Sequence, residues 1–189
     1  MPPNKTPSHI PPAGDSTAAI LSVDLRGHLL FSAWSILLLL ALNSALRLAL
    51  LGYNSDQIGL TPALTFAEAF FNGLRFDLRL VAAACFPLLL ALLSQKAMRA
   101  RAFFRFWLTG VASITLLLGI LELDFYREFN QRLNGLVFQY LKEDARTVLS
   151  MLWFGFPVLR YLLAWAIVTW LLARMFRTID RRTRLRIAN

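Results

Sequence analysis

The sequence predicts an all-α fold: a polytopic transmembrane helical bundle with four crossings and amphipathic helices at the membrane surface. Hydrophobic residues make up 57% of the 189 residues, and the mean hydropathy is +0.54, whereas soluble proteins are about 45–50% apolar. The apolar residues are gathered in long stretches, and about 20 of them in an α-helix span the hydrocarbon core of a bilayer. Lys and Arg lie at the ends of these stretches, as is typical of cytoplasmic loops.

The four predicted crossings cover about residues 28–51, 78–94, 106–123 and 153–175. Two further segments, about 64–77 and 126–152, carry apolar residues at helical spacing with charged residues between them, which predicts interfacial helices. For the second segment, an ordinary connecting helix packed on the bundle is equally open. Residues 1–27 are rich in Pro, Ser and Thr and are expected to form a disordered cytoplasmic tail, and residues 176–189 a basic cytoplasmic tail.

The distribution of charge predicts the orientation. Basic residues dominate the loop after the second crossing and the C-terminal tail, and these topology determinants are expected to face the cytoplasm: Lys96, Arg99, Arg101, Arg105, Arg174, Arg177, Arg181, Arg182, Arg184 and Arg186. The C-terminal arginines are expected to bind anionic lipid without specificity, and a specific partner site is the alternative. The segment between crossings three and four is balanced in charge and should face outward. Both termini are therefore predicted on the cytoplasmic side of the membrane.

Few residues of this chain could carry chemistry. His9 and His28 are the only histidines and Cys85 the only cysteine, which leaves no metal site, no catalytic constellation and no disulfide. Cys85 lies in an apolar stretch and is expected to be a small buried residue. No phosphate-binding glycine loop or nucleic-acid-binding motif occurs, so we expect no cofactor in this chain and no nucleic-acid partner.

Charged residues at the outer ends of crossings two and three form one candidate site: Arg75, Asp77, Arg79, Glu122, Asp124 and Arg127. Ionisable groups at membrane depth are costly and are usually paired. We therefore predict an ion-pair network in which Arg75 or Arg79 meets Glu122 or Asp124. A site for an anionic lipid headgroup and simple solvated charges are the alternatives. Arg47, near the end of crossing one, is expected to extend to the interface.

Five short stretches, taken in order, resemble the N-terminal membrane region of lipoteichoic-acid-synthase-like bacterial proteins, in the sulfatase branch of the alkaline phosphatase superfamily. They are Phe70–Arg79, Glu122–Phe129, Arg132–Asn134, Phe138–Leu141 and Trp153–Pro157. The resemblance covers roughly residues 29 to 175.

The resemblance implies an anchor in a bacterial inner membrane, followed by an extracytoplasmic domain with a Thr nucleophile and a divalent metal. Such enzymes are transferases or hydrolases and transfer phosphoglycerol or a similar headgroup. This chain stops at Asn189, before a fifth helix or such a domain. We therefore expect a membrane-anchoring region that meets membrane lipids, anionic headgroups included, and its own catalytic domain. A stand-alone membrane protein that binds a partner protein or anionic lipid is the alternative, and a transporter fragment is a weaker one because charged residues are lacking at mid-depth.

Overall fold

The computed structural model describes residues 13–58, 62–129, 146, 150, 153–155 and 157–188, and all of its regular elements in these ranges are helices. In chain order they are α1 (Ala13–Tyr53), α2 (Ser55–Ile58), α3 (Ala63–Leu90), a 3₁₀ turn (Ala91–Leu93), α4 (Gln95–Arg99), α5 (Arg101–Phe129) and α6 (Val158–Ala188). The predicted all-α class is confirmed.

Four of these helices are long and apolar enough to cross a membrane. The spans are Leu25–Tyr53, Leu64–Leu93, Arg101–Arg127 and Val158–Arg184. Large apolar side chains cover their outer surfaces: Leu37, Phe86, Ile114 and Ile167 are each more than half exposed. A surface of this kind is suited to hydrocarbon, where apolar side chains need no burial in protein. The protein is therefore a multi-pass membrane protein.

The helix α1 lies at the centre of the bundle and packs against α3, α5 and α6, and α5 also packs against α6. Its buried side chains Phe31, Ser35, Leu39 and Leu42 recur every three or four residues and so lie on one face. Gly119 of α5 allows a close approach here, because a Cβ at this position would come within 2.8 Å of Leu46 of α1. Cys85 is buried in the same core, as predicted.

Helix α3 contains Pro87, which has no N–H and leaves the Ala83 carbonyl without its helical donor. The neighbouring Ala84 carbonyl accepts a hydrogen bond from Trp107 Nε1 of α5 at 2.9 Å. One turn after the proline, the helix tightens into the 3₁₀ turn and then ends at Ser94, whose backbone is extended. A side chain from α5 thus contacts α3 one residue away from the carbonyl that the proline frees.

Several segments differ from the expectation. Residues 13–27, expected to be disordered, form the first turns of α1; alanines and leucines there favour helix once the apolar part of α1 has nucleated it. Residues 64–77, expected as the interfacial start of a helical pattern that runs to Ser94, are the first half of α3, and the apolar span includes them. Residues 176–188, expected as a basic tail, continue α6 as helix. Of the second interfacial segment, 126–129 end α5, and 130–145 lie outside the described residues.

The four spans predict a topology that reporters can test. With the four spans found in the described residues, both termini are expected on one side, and the basic loops predict that this side is the cytoplasm. Alkaline phosphatase should be inactive when fused after Asn189 or at Gln95, and active when inserted between residues 130 and 145. A fluorescent protein that folds only in the cytoplasm should give the opposite pattern. An active phosphatase at the C-terminus would contradict this topology.

Candidate functional site

We call one end of the bundle, where α1 and α5 begin and α6 ends, the basic end. There, the carboxylate of Asp180 on α6 is only 3% exposed and is surrounded by three guanidinium groups. Arg101 Nη1 lies 3.3 Å from Oδ1, Arg105 Nη1 lies 3.5 Å from Oδ2, and Arg184 Nε lies 3.1 Å from Oδ1. These four residues, with Thr183, form the Asp180 cluster.

Arg101 is the most deeply placed cation of the Asp180 cluster, with 8% of its side chain exposed. Its Nη1 also donates to Thr183 Oγ1 at 3.2 Å, and its Cζ lies 5.2 Å from the centroid of the Phe31 ring on α1. A buried ion pair is tolerated only when further hydrogen bonds satisfy its charged atoms. The cluster therefore ties α5 and α6 together and seats them against α1.

His28 of α1 is fully buried at the same end. Its Nε2 lies 2.8 Å from the Leu88 carbonyl oxygen, and because a carbonyl only accepts, Nε2 carries the proton and donates. The ring packs edge-on against Phe104, with centroids 5.7 Å apart. His28 thus connects α1 to the end of α3, where the helix begins to tighten.

At the opposite end of the bundle, Arg47 of α1 pairs with Asp77 of α3. Arg47 Nη2 lies 2.9 Å from Asp77 Oδ2, and Nη1 donates to the Phe70 carbonyl at 3.3 Å. The guanidinium also lies over the Phe70 ring, 5.7 Å from its centroid, and directly against Gly73. The two paired side chains are 17% and 11% exposed. Arg47 is therefore held inside the bundle and does not extend to the interface as we expected.

The partners of Arg47 lie at regular positions of one sequence motif. Phe70, Gly73 and Asp77 follow at intervals of three and four residues, so they share a face of α3. Phe70 provides a ring and a carbonyl, Gly73 the space, and Asp77 the counter-charge. We call these three residues with Arg47 the Arg47 joint.

A third polar group lies where α1, α5 and α6 meet at this end. Tyr53 Oη donates to Asp124 Oδ1 at 2.9 Å, and Tyr161 of α6 interacts with both residues. Arg127 lies over the Tyr53 ring at 5.3 Å and 3.7 Å from Asp56 Oδ2 in an exposed ion pair. We call these five residues the Asp124 group.

The six residues of the predicted outer network are near one end, but their described contacts run differently from the prediction. Asp77 is paired with α1, Asp124 is bonded to α1, and Arg127 contacts α1 and α2. Arg79 lies over the ring of Phe76, its own neighbour on α3, at 5.5 Å, and Arg75 is exposed. Glu122 is half-buried. Helix α1 packs against both α3 and α5, and at this end its side chains take the contacts that we expected those two helices to share.

The predicted topology determinants also divide by their contacts. Arg101, Arg105 and Arg184 belong to the Asp180 cluster, and Arg174 lies 4.9 Å from the centroid of the Trp170 ring. The remaining described ones are exposed: Lys96, Arg99, Arg177, Arg181 and Arg182. The side chain of Arg186 lies outside the described residues. Three of the ten thus have a structural role that charge counting did not predict.

A crevice of about 420 Å³ opens between α1 and the first half of α3, beside the Arg47 joint. Its walls are mostly apolar, with Phe66, Phe70 and Phe76 from α3, and Asn54 and Asn72 add amide groups. Apolar walls with a few amide groups offer contacts to a hydrocarbon chain that carries a polar group. Within the described ranges, no three His, Cys, Asp or Glu side chains are grouped to hold a metal ion.

Comparison with known proteins returned no match: no family model fits the sequence, and neither a curated protein nor a solved structure is detectably similar. The family expectation drawn from the motifs at residues 70–79 and 122–129 therefore stays a prediction. The contacts of these motifs are what the structure adds to it.

Sequence reasoning missed the residues at the centre of each group: Asp180, His28, Arg47 and Tyr53. Each had a signal. Asp180 is the only acid among the last arginines, and it stands four residues before Arg184, the spacing of a helical ion pair. Arg47 is an arginine inside an apolar stretch, a position that usually requires a partner.

The Arg47 joint predicts that Gly73→Ala weakens the bundle. A methyl group at this position would overlap the Arg47 guanidinium and displace it from Asp77. We expect a loss of about 1–3 kcal/mol in the free energy of unfolding, as for overpacked cores, measured by circular dichroism in detergent. Gly110→Ala is the matched control, because nothing lies within 4 Å of its Cβ position, and it should be neutral or stabilising by up to about 1 kcal/mol. Equal effects at the two glycines would refute the joint.

The Asp180 cluster predicts a large cost for Asp180→Asn. Removal of the carboxylate leaves buried Arg101 beside two other guanidinium groups, and breaking a buried pair costs about 3–5 kcal/mol. Asp56→Asn is the matched control. Its ion pair with Arg127 is exposed, and exposed pairs contribute little. Unfolding in detergent would measure both variants, and an Asp180→Asn protein as stable as the control would exclude a structural role for the cluster.

Proposed function

We propose that this chain is the membrane-anchoring region of a phosphoglycerol-transferase-like enzyme of the sulfatase family. In this role the four-helix bundle holds a catalytic domain at the outer face of a bacterial inner membrane, where its lipid substrate lies. The Thr nucleophile and divalent metal of such an enzyme belong to that domain. We assign none of the described residues to catalysis.

The observation that carries the proposal is the Arg47 joint. The stretch Phe70–Arg79 is the longest of those that resemble the family, and three of its residues receive Arg47 of the central helix. A Gly and an Asp at this spacing therefore serve helix packing. Such a motif is expected in an anchor that must hold its helices in fixed relative positions.

The charged groups at both ends support the same role. The Asp180 cluster fixes α5 against α6 at the basic end, and the Arg47 joint and Asp124 group tie α1 to α3 and α5 at the other end. Helices held at both ends cannot slide or rotate independently. An anchor with fixed helix positions keeps an attached domain at a constant height above the membrane.

The crevice beside Arg47 favours a second candidate function, a stand-alone membrane protein that binds anionic lipid or a partner. Arg75 and Arg79 are exposed at the same end and could meet an anionic headgroup while the crevice takes a hydrocarbon chain. In this role the bundle itself is the binding protein.

The natural gene product distinguishes the two functions. An antibody against the C-terminal residues of this chain should detect, in native membranes, a protein much larger than 21.4 kDa, whose reading frame encodes a phosphoglycerol-transferase-like domain. A product of 21.4 kDa would refute the anchor and favour the second function.

The anchor role also predicts how that larger protein responds to Asp77→Asn. The amount of folded enzyme in the membrane should fall, because Arg47 loses its counter-charge, while headgroup transfer per folded molecule stays unchanged. Gly110→Ala is again the control. A lower activity per folded molecule would place Asp77 in the chemistry and contradict the anchor role.

A further inference from the structure

The Asp180 cluster has more positive than negative groups. One carboxylate faces three guanidinium groups, and it is the only acid among the described side chains of residues 25–35, 94–108 and 172–184. Arg101 is sealed inside, but the side chains of Arg105 and Arg184 are 31% and 57% exposed. Each of these two uses one nitrogen on Asp180, and a guanidinium has five N–H donors. They therefore present unused donors and positive charge on an accessible face.

The helix dipole favours an anion at the same place. Arg101 is the first residue of the 29-residue helix α5, so Arg105 lies close to the positive end of its dipole. The negative end of α6, at Ala188, lies farther away, about 12 Å beyond Asp180 at the helical rise. The local field at Arg105 thus adds to the charge of the side chains.

The position of the cluster identifies the kind of anion. Arg101 and Arg184 are the terminal residues of two membrane spans, which is the depth of lipid headgroups. Exposed apolar side chains adjoin it on the membrane side, among them Phe106 at 80% and Met175 at 47% exposure. A phospholipid places its phosphate at the depth of the arginines and its acyl chains along the exposed apolar side chains. A soluble anion would leave those apolar side chains without a contact.

We infer that Arg105 and Arg184 form a specific binding site for the phosphate of an anionic phospholipid in the leaflet at the basic end. The guanidinium groups bind the phosphodiester oxygens, and Asp180 positions both side chains from below. The site does not depend on the proposed anchor function, since it uses only the bundle. It differs from general attraction to basic residues because two particular arginines carry it.

Native mass spectrometry of the purified chain in detergent tests the site, with palmitoyl-oleoyl phosphatidylglycerol as the probe and the matching phosphatidylcholine as the neutral lipid. The wild-type chain should bind the anionic lipid more tightly. Arg105→Gln and Arg184→Gln should each weaken that binding about tenfold or more, because each variant loses charge-assisted hydrogen bonds to the phosphate. The control is Arg182→Gln, an exposed arginine on the same helix outside the cluster, with no more than the roughly fivefold effect expected for one basic residue near a membrane surface.

Three results would overturn the site. The first is an equal loss of lipid binding in Arg182→Gln, which indicates diffuse charge. The second is equal binding of the two lipids. The third is displacement of the lipid by millimolar inorganic phosphate, which indicates a site for soluble anions. If a Gln variant does not fold, the test uses Arg105→Lys, Arg182→Lys and Arg184→Lys instead. Lys keeps the charge but loses the bidentate contact, so binding should fall at 105 and 184 and not at 182, and an equal response would again reject the site.

Discussion

The Asp180 carboxylate is buried where α1, α5 and α6 meet, and the arrangement of these helices depends on keeping it paired. An unpaired charge at this position would have to be desolvated at a cost of several kcal/mol. Arg101 meets this requirement only when α5 and α6 are in one relative register, because its guanidinium must reach both Asp180 and Thr183. Apolar packing alone is less selective, since leucines on a lipid-facing helix fit many registers.

At the opposite end of the bundle a buried charge is also kept paired, but by a different set of groups. Arg47 points into the bundle from α1, and α3 accommodates it with a carboxylate, a carbonyl, an aromatic ring and the space left by a glycine. Tyr53, two turns further along α1, reaches Asp124 of α5. The central helix therefore carries a polar contact to α3 and another to α5 at this end, while His28 joins it to the end of α3 at the other. Between these ends the core is apolar and contains small residues that allow close approach.

The polar contacts at both ends of the bundle bear on its function. A bundle fixed at both ends, with a lipid-compatible surface, is well suited to hold something in place. The positive charge at the basic end is not fully neutralised, however, because Arg105 and Arg184 share a single carboxylate with Arg101. Anchoring and lipid recognition can therefore coexist in one structure: the buried side of the cluster stabilises the helices, and its exposed side meets the headgroups.

The sequence by itself determined the fold class and the number of spans. Only helices and closed barrels satisfy their backbone groups in hydrocarbon, and apolar stretches of about 20 residues have the length of a spanning helix. It also located charged residues near the right ends. Only the tertiary structure decided which charges meet. The network expected between α3 and α5 depended on those helices being neighbours in sequence, but α1 packs against both and takes Asp77 and Asp124 as its own partners. Asp180 looked like a minor member of a basic tail because the continuation of the helix beyond the predicted crossing, which ended at residue 175, and the burial that follows from it depend on packing against α1 and α5. Pairing at membrane depth is set by which helix faces touch, and hydropathy along a single chain does not contain that information.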